Sequence, residues 1–459
     1  VKALTLGAVA TATGGALSGA AELPLAGVSI DSRTLGPGEL FVAVAGPRFD
    51  GHDFVAAAVE RGAAAALVAR PAAAPAGLPH VVVGDTTRAL AELARHVRLA
   101  SGVKVGAITG SAGKTTTKEM LAALLASAGP TLKTEGNLNN QYGLPLTLLR
   151  LRPEHRYAAL ELGMSAPGEL RALSGIAAPD VAAITMVGSA HLEFFRDVDQ
   201  IAEAKAEILD GLGPAGIAVL NRDDARVRRV GERFPGRVLW FGQDRGCDAS
   251  FENWRGTIHG MRFDLRLGGE VHDVALALAG RHNVANFVAA ALCAHALGLA
   301  PAQVASAASG LGPARRRGEV LSLGSGVTLL DDSYNANPEA VAAAVAALGL
   351  AAKGRRVAFL GDMLELGADA AAIHETTAEA AAKGLDVLVA AGAQAARMAA
   401  GAARAGLAAS AIHAFPDSAA AAAAAPSLVR PGDAVLVKGS RGSRMDVVAD
   451  ALVAALGRA

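Results

Sequence analysis

Glycines, a lysine and three threonines give this chain one segment suited to holding phosphate. An apolar run from Val105 leads into Gly110, Ser111, Ala112, Gly113, Lys114, Thr115 and Thr116, with Thr117 behind them. In a strand–turn–helix setting the glycines let backbone N–H groups close around phosphate oxygens. The helix start adds its positive dipole end, and Lys114 bridges the outer phosphates. Thr115 then stands where a hydroxyl ligates Mg²⁺. The usual G-x-x-x-x-G-K-[ST] spacing is altered, because Ile108 takes the place of the first glycine. The competing reading is a glycine turn capped by threonines. A phosphate loop alone does not separate a ligase from a kinase, a GTPase or a motor.

Three further residues carry chemistry. Glu161 closes the strand-like Tyr157–Leu162, at the carboxyl end where open parallel sheets place ligands, and its carboxylate could hold Mg²⁺ opposite Thr115. His191 follows another strand and the turn Gly188-Ser189-Ala190. Taken singly, such a Glu and such a His read equally as solvated or hydrogen-bonded loop residues. Lys205 lies four residues from both Ile201 and Leu209 in a helical stretch, Gln200–Gly211, on what should be a buried stripe. A desolvated lysine loses its charge and becomes a nucleophilic amine able to take up CO₂ as a carbamate, an anionic metal ligand. Spacing alone favours the other reading, a lysine whose stem covers the stripe while its ammonium reaches water.

Elements must position these groups. Short strand-like pieces (Val28–Ile30, Leu40–Val44, Ala65–Val68, Val81–Val83) and a helix near Phe54–Arg61 suggest a small α/β domain. From Val103 strands alternate with longer helices: Val103–Thr109, Lys114–Ser127, Tyr157–Leu162 and Val181–Val187. That alternation predicts a mostly parallel sheet with helices on both faces. Trp240–Leu278 reads as short strands, closed by a helix over Asn283–Leu297. After the Gly-, Pro- and Arg-rich Gly310–Gly318 come Val327–Leu330, Val357–Leu360, Val387–Ala390 and Ala434–Val437, each followed by a helical stretch, a doubly wound third domain. The run Ala419–Ala425 reads as helix, since alanine is the best helix former.

Composition sets the limits. At 459 residues the chain needs several domains, and 52% apolar against 19% charged residues supply their cores. Lys plus Arg and Asp plus Glu are both 43, which leaves no global field to attract nucleic acid or an anionic membrane. Cys247 and Cys293 have neither disulfide nor zinc spacing. The apolar start, Val1–Ala20, is interrupted by Thr5, Thr11, Thr13, Gly14 and Gly15, so export is not expected. With no uninterrupted membrane-length apolar run, the expectation is a cytoplasmic monomer without membrane insertion.

Read in order, the phosphate loop Thr109–Thr115, the Asn-rich Gly136-Asn137-Leu138-Asn139-Asn140, Glu161, His191, Ala204–Ile208 around Lys205, and Arg281–Asn286 resemble the Mur ligases over nearly the whole chain. The resemblance implies an α/β protein of three domains. These are a small N-terminal UDP-binding domain (1–98), a central P-loop ATPase-type parallel-sheet domain (99–312) and a C-terminal Rossmann-like domain (313–459). It implies ATP and two Mg²⁺ ions, one held by Thr115 and Glu161, the other by His191 and carbamylated Lys205. Lys114, Glu161, His191 and Lys205 form the catalytic set. Asn283 would contact adenine, and Asp332 with Asn335 would hold the nucleotide from the third domain. Arg317 looks like the arginine that reaches the ATP phosphates, although Arg315 and Arg316 beside it leave the register open.

Asp332–Pro338, Gly361–Gly367 and Lys438–Arg441 favour the branch that adds D-alanyl-D-alanine to a UDP-N-acetylmuramoyl-tripeptide in peptidoglycan synthesis. Ser32 and Arg33, in Asp31-Ser32-Arg33, would donate to the diphosphate and uracil, with Asn137, Asn139 and Asn140 on the substrate side. Asp31-Ser32-Arg33 reads equally as a plain turn after a strand. The rival readings are the Mur enzyme adding the third residue, a folylpolyglutamate synthase, and a nucleotide-dependent binding module without chemistry. Retention of Glu161, His191 and Lys205 together argues against the last.

Overall fold

A computed structural model of the protein describes residues 4–46, 49–244, 246–351 and 354–459. Val1–Ala3, the start of the run weighed as an export signal, lies outside the described residues; the rest of that run opens with a helix, Leu6–Thr13, capped by the Thr5 hydroxyl, and a short strand, Ala16–Ser18. The architecture is three-domain α/β, with one sheet in each domain. Among the described residues no helix is long and apolar enough to cross a membrane.

By internal packing the chain forms two compact units: Val1–Ile108 with Ala128–Ala182 and Glu207–Ile217, and Thr109–Ser127 with Ala183–Ala206 and Ala218–Ala459. In the first, a five-stranded sheet runs in spatial order Ala16–Ser18, His80–Val82, Ala65–Val68, Leu40–Val42, Val28–Ser29, and only the first strand is antiparallel to its neighbour. Side chains alternate across a strand. Leu40, Val42, Ala65 and Leu67 therefore enter one core with Leu90 and Leu93 of the helix Thr86–Ser101, while Phe41, Ala43, Ala66 and Val68 enter another with Val55 and Ala58. In the same unit Tyr157–Glu161 pairs in parallel with Thr131–Lys133 and with the strand that starts at Lys104. These belong to the nine-stranded middle sheet.

The second unit carries the phosphate-loop helix Lys114–Ala126, the helix Arg281–Ala296 and the C-terminal sheet. The segment read as short strands is a meander of nine, eight and seven residues (Ala249–Thr257, Gly260–Leu267, Glu270–Leu276), antiparallel throughout. Met261, Phe263, Leu265 and Leu267 alternate inward along its middle strand. The C-terminal sheet has six strands in the order Glu319–Ser322, Thr328–Asp332, Ala434–Lys438, Arg356–Gly361, Val387–Ala391, Ile412–Phe415. Only the first, an edge strand absent from the sequence reading, is antiparallel. Ala358, Leu360, Ala434 and Leu436 face one core, and Val357, Phe359, Val435 and Val437 the other. Burial on both faces explains why these strands read as unbroken apolar runs. The alanine-rich run is helical, within Ser418–Leu428.

One expected helix differs. In place of a single helix over Gln200–Gly211, an α-helix spans Val198–Ala206 and tightens into a 3₁₀ segment, Glu207–Gly211. The earlier start has a local cause. The Asp197 carboxylate accepts from Gln200 N–H at 2.8 Å and the Gln200 side chain accepts from Arg196 N–H at 2.8 Å, so two N–H groups beside the helix start are satisfied by side chains.

Candidate active site

In the first unit, Glu161 sits at the carboxyl end of its strand, 3% exposed. Its N–H donates to Thr134 Oγ1 at 3.0 Å and its Oε1 accepts from Asn139 Nδ2 at 2.8 Å. The other oxygen, Oε2, is buried without a hydrogen-bond partner among the described residues. A buried carboxylate oxygen left open is costly unless something positive completes it. The Asn-rich loop divides its labour: Asn139 holds Glu161, Asn140 Oδ1 accepts from Gly143 N–H at 2.9 Å to cap the next helix, and Asn137 is exposed. On the N-terminal sheet, Arg33 folds back on Asp31 in a two-pronged ion pair (2.9 and 2.8 Å) that holds the Asp31 carboxyl down at about 2. Ser32 is half-buried beside it.

In the second unit, Gly113 ends the phosphate loop at φ +83°, and a Cβ there would lie 2.4 Å from Asn286 Oδ1, so only glycine fits. No side chain caps the helix that follows, which leaves its first N–H groups without intrahelical acceptors. Lys114 Nζ donates to Gly110 O at 2.6 Å, curling its side chain over the loop. Thr185 Oγ1 donates to Ala112 O at 2.6 Å and Ser111 N–H to Met186 O at 2.8 Å, which pins the loop to the strand end beside it. Asn283 donates to Ala279 O at 2.8 Å and receives Asn286 Nδ2 at 3.3 Å.

Lys205 is 1% exposed, so its ammonium does not reach water as the snorkelling reading required. Burial first, and the like charge of Lys114 second, push its pKa well below the ordinary lysine value. A neutral amine is the form that reacts with CO₂. His191 adopts the left-handed conformation, φ +74°, and its Nδ1 lies 2.5 Å from Glu365 Oε2, off the ideal hydrogen-bond line. That contact holds the Glu365 carboxyl below its usual range against the opposing effect of burial. Among the described residues no three His, Cys, Asp or Glu side chains gather as a ready metal cluster; threonine and modified lysine fall outside that count. The open Glu161 oxygen and the buried Lys205, its pKa lowered, both fit a divalent-cation role.

The C-terminal residues meet the phosphate loop directly. Arg317 Nη2 donates to Thr115 Oγ1 at 3.1 Å, and its guanidinium lies 3.9 Å from the centre of the Tyr334 ring. Arg316 turns away to Asp446 and Asp450, and Arg315 is exposed, so the register left open in the sequence falls on Arg317 as the arginine at the loop. Asp332 Oδ2 accepts from Lys438 Nζ at 2.5 Å, and the same ammonium donates to the backbone O of Asn335, whose residue is exposed. Sequence reasoning missed Asn337, whose Nδ2 donates to Ser111 O at 3.2 Å, and Glu339, which accepts from Ser189 N–H at 2.9 Å. Both lie in or beside the Asp332–Pro338 segment already singled out.

Comparison with known proteins agrees with this arrangement. The Mur ligase family, catalytic domain, matches residues 24–98; the Mur ligase middle domain matches 108–294; and the Mur ligase, glutamate ligase domain, matches 316–441. The UDP-N-acetylmuramoyl-tripeptide--D-alanyl-D-alanine ligase of Escherichia coli (strain K12) is 38% identical over 98% of both chains. A crystal structure of MurF from Acinetobacter baumannii superposes with a TM-score of 0.90 at 34% identity, covering 98% of this chain and 99% of that one. MurF ligase from Thermotoga maritima, in complex with ADP, gives 0.81 at 32% identity, over 93% and 97%. With its three domain matches and a relative this similar along nearly its whole length, the chain belongs to the Mur ligase family.

Proposed function

We propose that this protein is the ligase that joins D-alanyl-D-alanine to UDP-N-acetylmuramoyl-tripeptide, with ATP cleaved to ADP and phosphate. The observation that carries the reading is the set of residues gathered on the phosphate loop, Lys114, Thr115, Arg317 and Asn337, in a chain whose full-length relatives bear that ligase name. The ADP held by the Thermotoga relative supports ATP as the co-substrate.

A carboxylate is a poor electrophile, so the acceptor's carboxyl group must first become an acyl phosphate. Transfer of the γ-phosphoryl group needs positioning and charge compensation more than covalent help. Lys114 and the backbone N–H groups at the helix start would offset charge on the phosphates, and Arg317, braced on Tyr334, would add a second cation. Thr115 and Glu161 are the expected holders of one Mg²⁺, and His191 with carbamylated Lys205 of the second. Such ions supply Lewis-acid charge on the phosphoryl oxygens. Asn139 would keep Glu161 oriented. Asn283 and Asp332 would bind the nucleoside, with Lys438 fixing the Asp332 carboxylate. The free amine of D-alanyl-D-alanine would then attack the acyl phosphate, and the tetrahedral adduct would collapse with loss of phosphate. The N-terminal domain, 1–98, is assigned to the UDP end of the acceptor, with Ser32 and Arg33 donating there, and 313–459 to the dipeptide.

Purified protein is to be assayed for phosphate release from ATP with UDP-N-acetylmuramoyl-tripeptide, with and without D-alanyl-D-alanine, and the product weighed. Release that needs both, with a pentapeptide product, supports the assignment. Turnover with another amino acid only would keep the family and overturn the substrate.

A further inference from the structure

The loop that carries His191 is held at two points by acids from the C-terminal domain. At its start, Ser189 donates from both N–H (2.9 Å) and Oγ (3.1 Å) to Glu339 Oε1. Gly188 lets that carboxylate approach, since a Cβ there would meet it at 2.6 Å. Further on, Glu193 N–H donates to the backbone O of Glu365 at 3.1 Å, while the Glu365 carboxylate reaches His191 Nδ1 at 2.5 Å. His191 and Glu365 both adopt left-handed conformations, φ +74° and +63°, which a residue with a Cβ holds only when its surroundings impose it. Two strained residues set side by side, each with its side chain on the other, indicate an arrangement kept for the sake of that contact.

An imidazole ligates a cation through a nitrogen that carries no proton, and the partner of the other nitrogen decides which one that is. We propose that Glu365 is a positioning residue: its carboxylate takes the Nδ1–H of His191 and leaves Nε2 as the lone-pair nitrogen for a divalent cation. The inference rests on the reading of His191 as a metal ligand. Because Glu365 comes from the C-terminal domain, the ring is set only when that domain is docked on the loop, which links cation binding to assembly of the site.

Mn²⁺ is the probe, titrated by electron paramagnetic resonance into protein holding β,γ-methylene ATP, for the wild type, E365A, E365Q and H191A. E365A is expected to weaken Mn²⁺ binding about tenfold or more. E365Q should fall between, since its amide oxygen still accepts from Nδ1–H. With diamagnetic Mg²⁺ in place of Mn²⁺, ¹⁵N spectra should show the wild-type His191 proton on Nδ1, assigned by its loss in H191A. Wild-type Mn²⁺ affinity in E365A, or a wild-type ring protonated on Nε2, would overturn the inference. The ring measurement needs only H191A for its assignment, so it decides even where E365A does not fold. H191A separates the two failures: if it weakens Mn²⁺ binding and E365A does not, only the role of Glu365 is lost, whereas unchanged binding in H191A removes the metal-ligand reading beneath it.

Discussion

Lys118 and Lys205 are two lysines shut almost completely away from water, at 0% and 1% exposure, and the protein treats them in opposite ways. Lys118, on the phosphate-loop helix, has its ammonium against the Glu119 carboxylate, so its charge is matched where it is buried. Lys205 has another cation, Lys114, as the charge acting on it, and both that neighbour and burial drive it toward the neutral amine. Burial alone already disfavours an ammonium, and the sign of the neighbouring charge then opposes that effect or adds to it. One lies against a carboxylate, the other beside a second cation.

Substitution should separate the pair. The largest effect is expected at Lys205. K205A should abolish ligation, and short added carboxylates should partly restore it by standing in for the carbamate. No rescue, together with an unmodified Lys205 in a crystal structure, would remove the carbamate from the mechanism. Next comes Arg317, which touches Thr115 at the phosphate loop. R317A should lower kcat by roughly 10²- to 10³-fold, the range for losing one preorganised donor at a developing charge. A kcat within threefold of wild type would exclude it from the phosphate site.

K118M should act on folding instead. Removing the Lys118–Glu119 ion pair should cost on the order of 2 kcal/mol, below the figure for a fully buried pair because Glu119 is partly exposed. The midpoint of denaturant unfolding reads this, and turnover at low temperature should survive. Equal loss of activity in K118M and K205A would erase the distinction. The smallest effect concerns His282, beside the Lys438–Asp332 pair, where burial pushes the imidazole down to about 4. The unfolded chain takes up this proton below about 6.5 and the folded one only near 4, so folding loses stability as pH falls across that interval. H282N should remove that component from the pH dependence of unfolding, and an unaltered slope would contradict it.

What the sequence disclosed follows the range of the interactions. The phosphate loop is local, a strand, a turn and a helix in consecutive residues, and it was readable with its departure at Ile108. The two cores of the C-terminal sheet were readable as apolar runs, though not the edge strands Glu319–Ser322 and Ile412–Phe415, whose residues are half-buried or exposed. Lys205 was readable as a lysine on an apolar stripe, but helical spacing carries no information about which charge lies across the helix, and so spacing favoured the snorkelling reading. Asn337, Glu339 and Glu365 act on residues more than 140 positions away along the chain, and no local pattern marks them. Their only signal was membership of, or adjacency to, segments already singled out for other reasons. Within one such segment Asn335 is held through its backbone O by Lys438, and Asn337 is the one whose side chain touches the loop.

The claim on which the rest depends is that ATP activates the acceptor's own carboxylate. UDP-N-acetylmuramoyl-tripeptide carrying ¹⁸O in the carboxyl groups of its third residue, turned over with ATP and D-alanyl-D-alanine, tests this directly. An acyl phosphate predicts one ¹⁸O in each phosphate released from a labelled carboxyl group, and the pentapeptide amide lighter by that oxygen. Unlabelled phosphate with a pentapeptide product would contradict it.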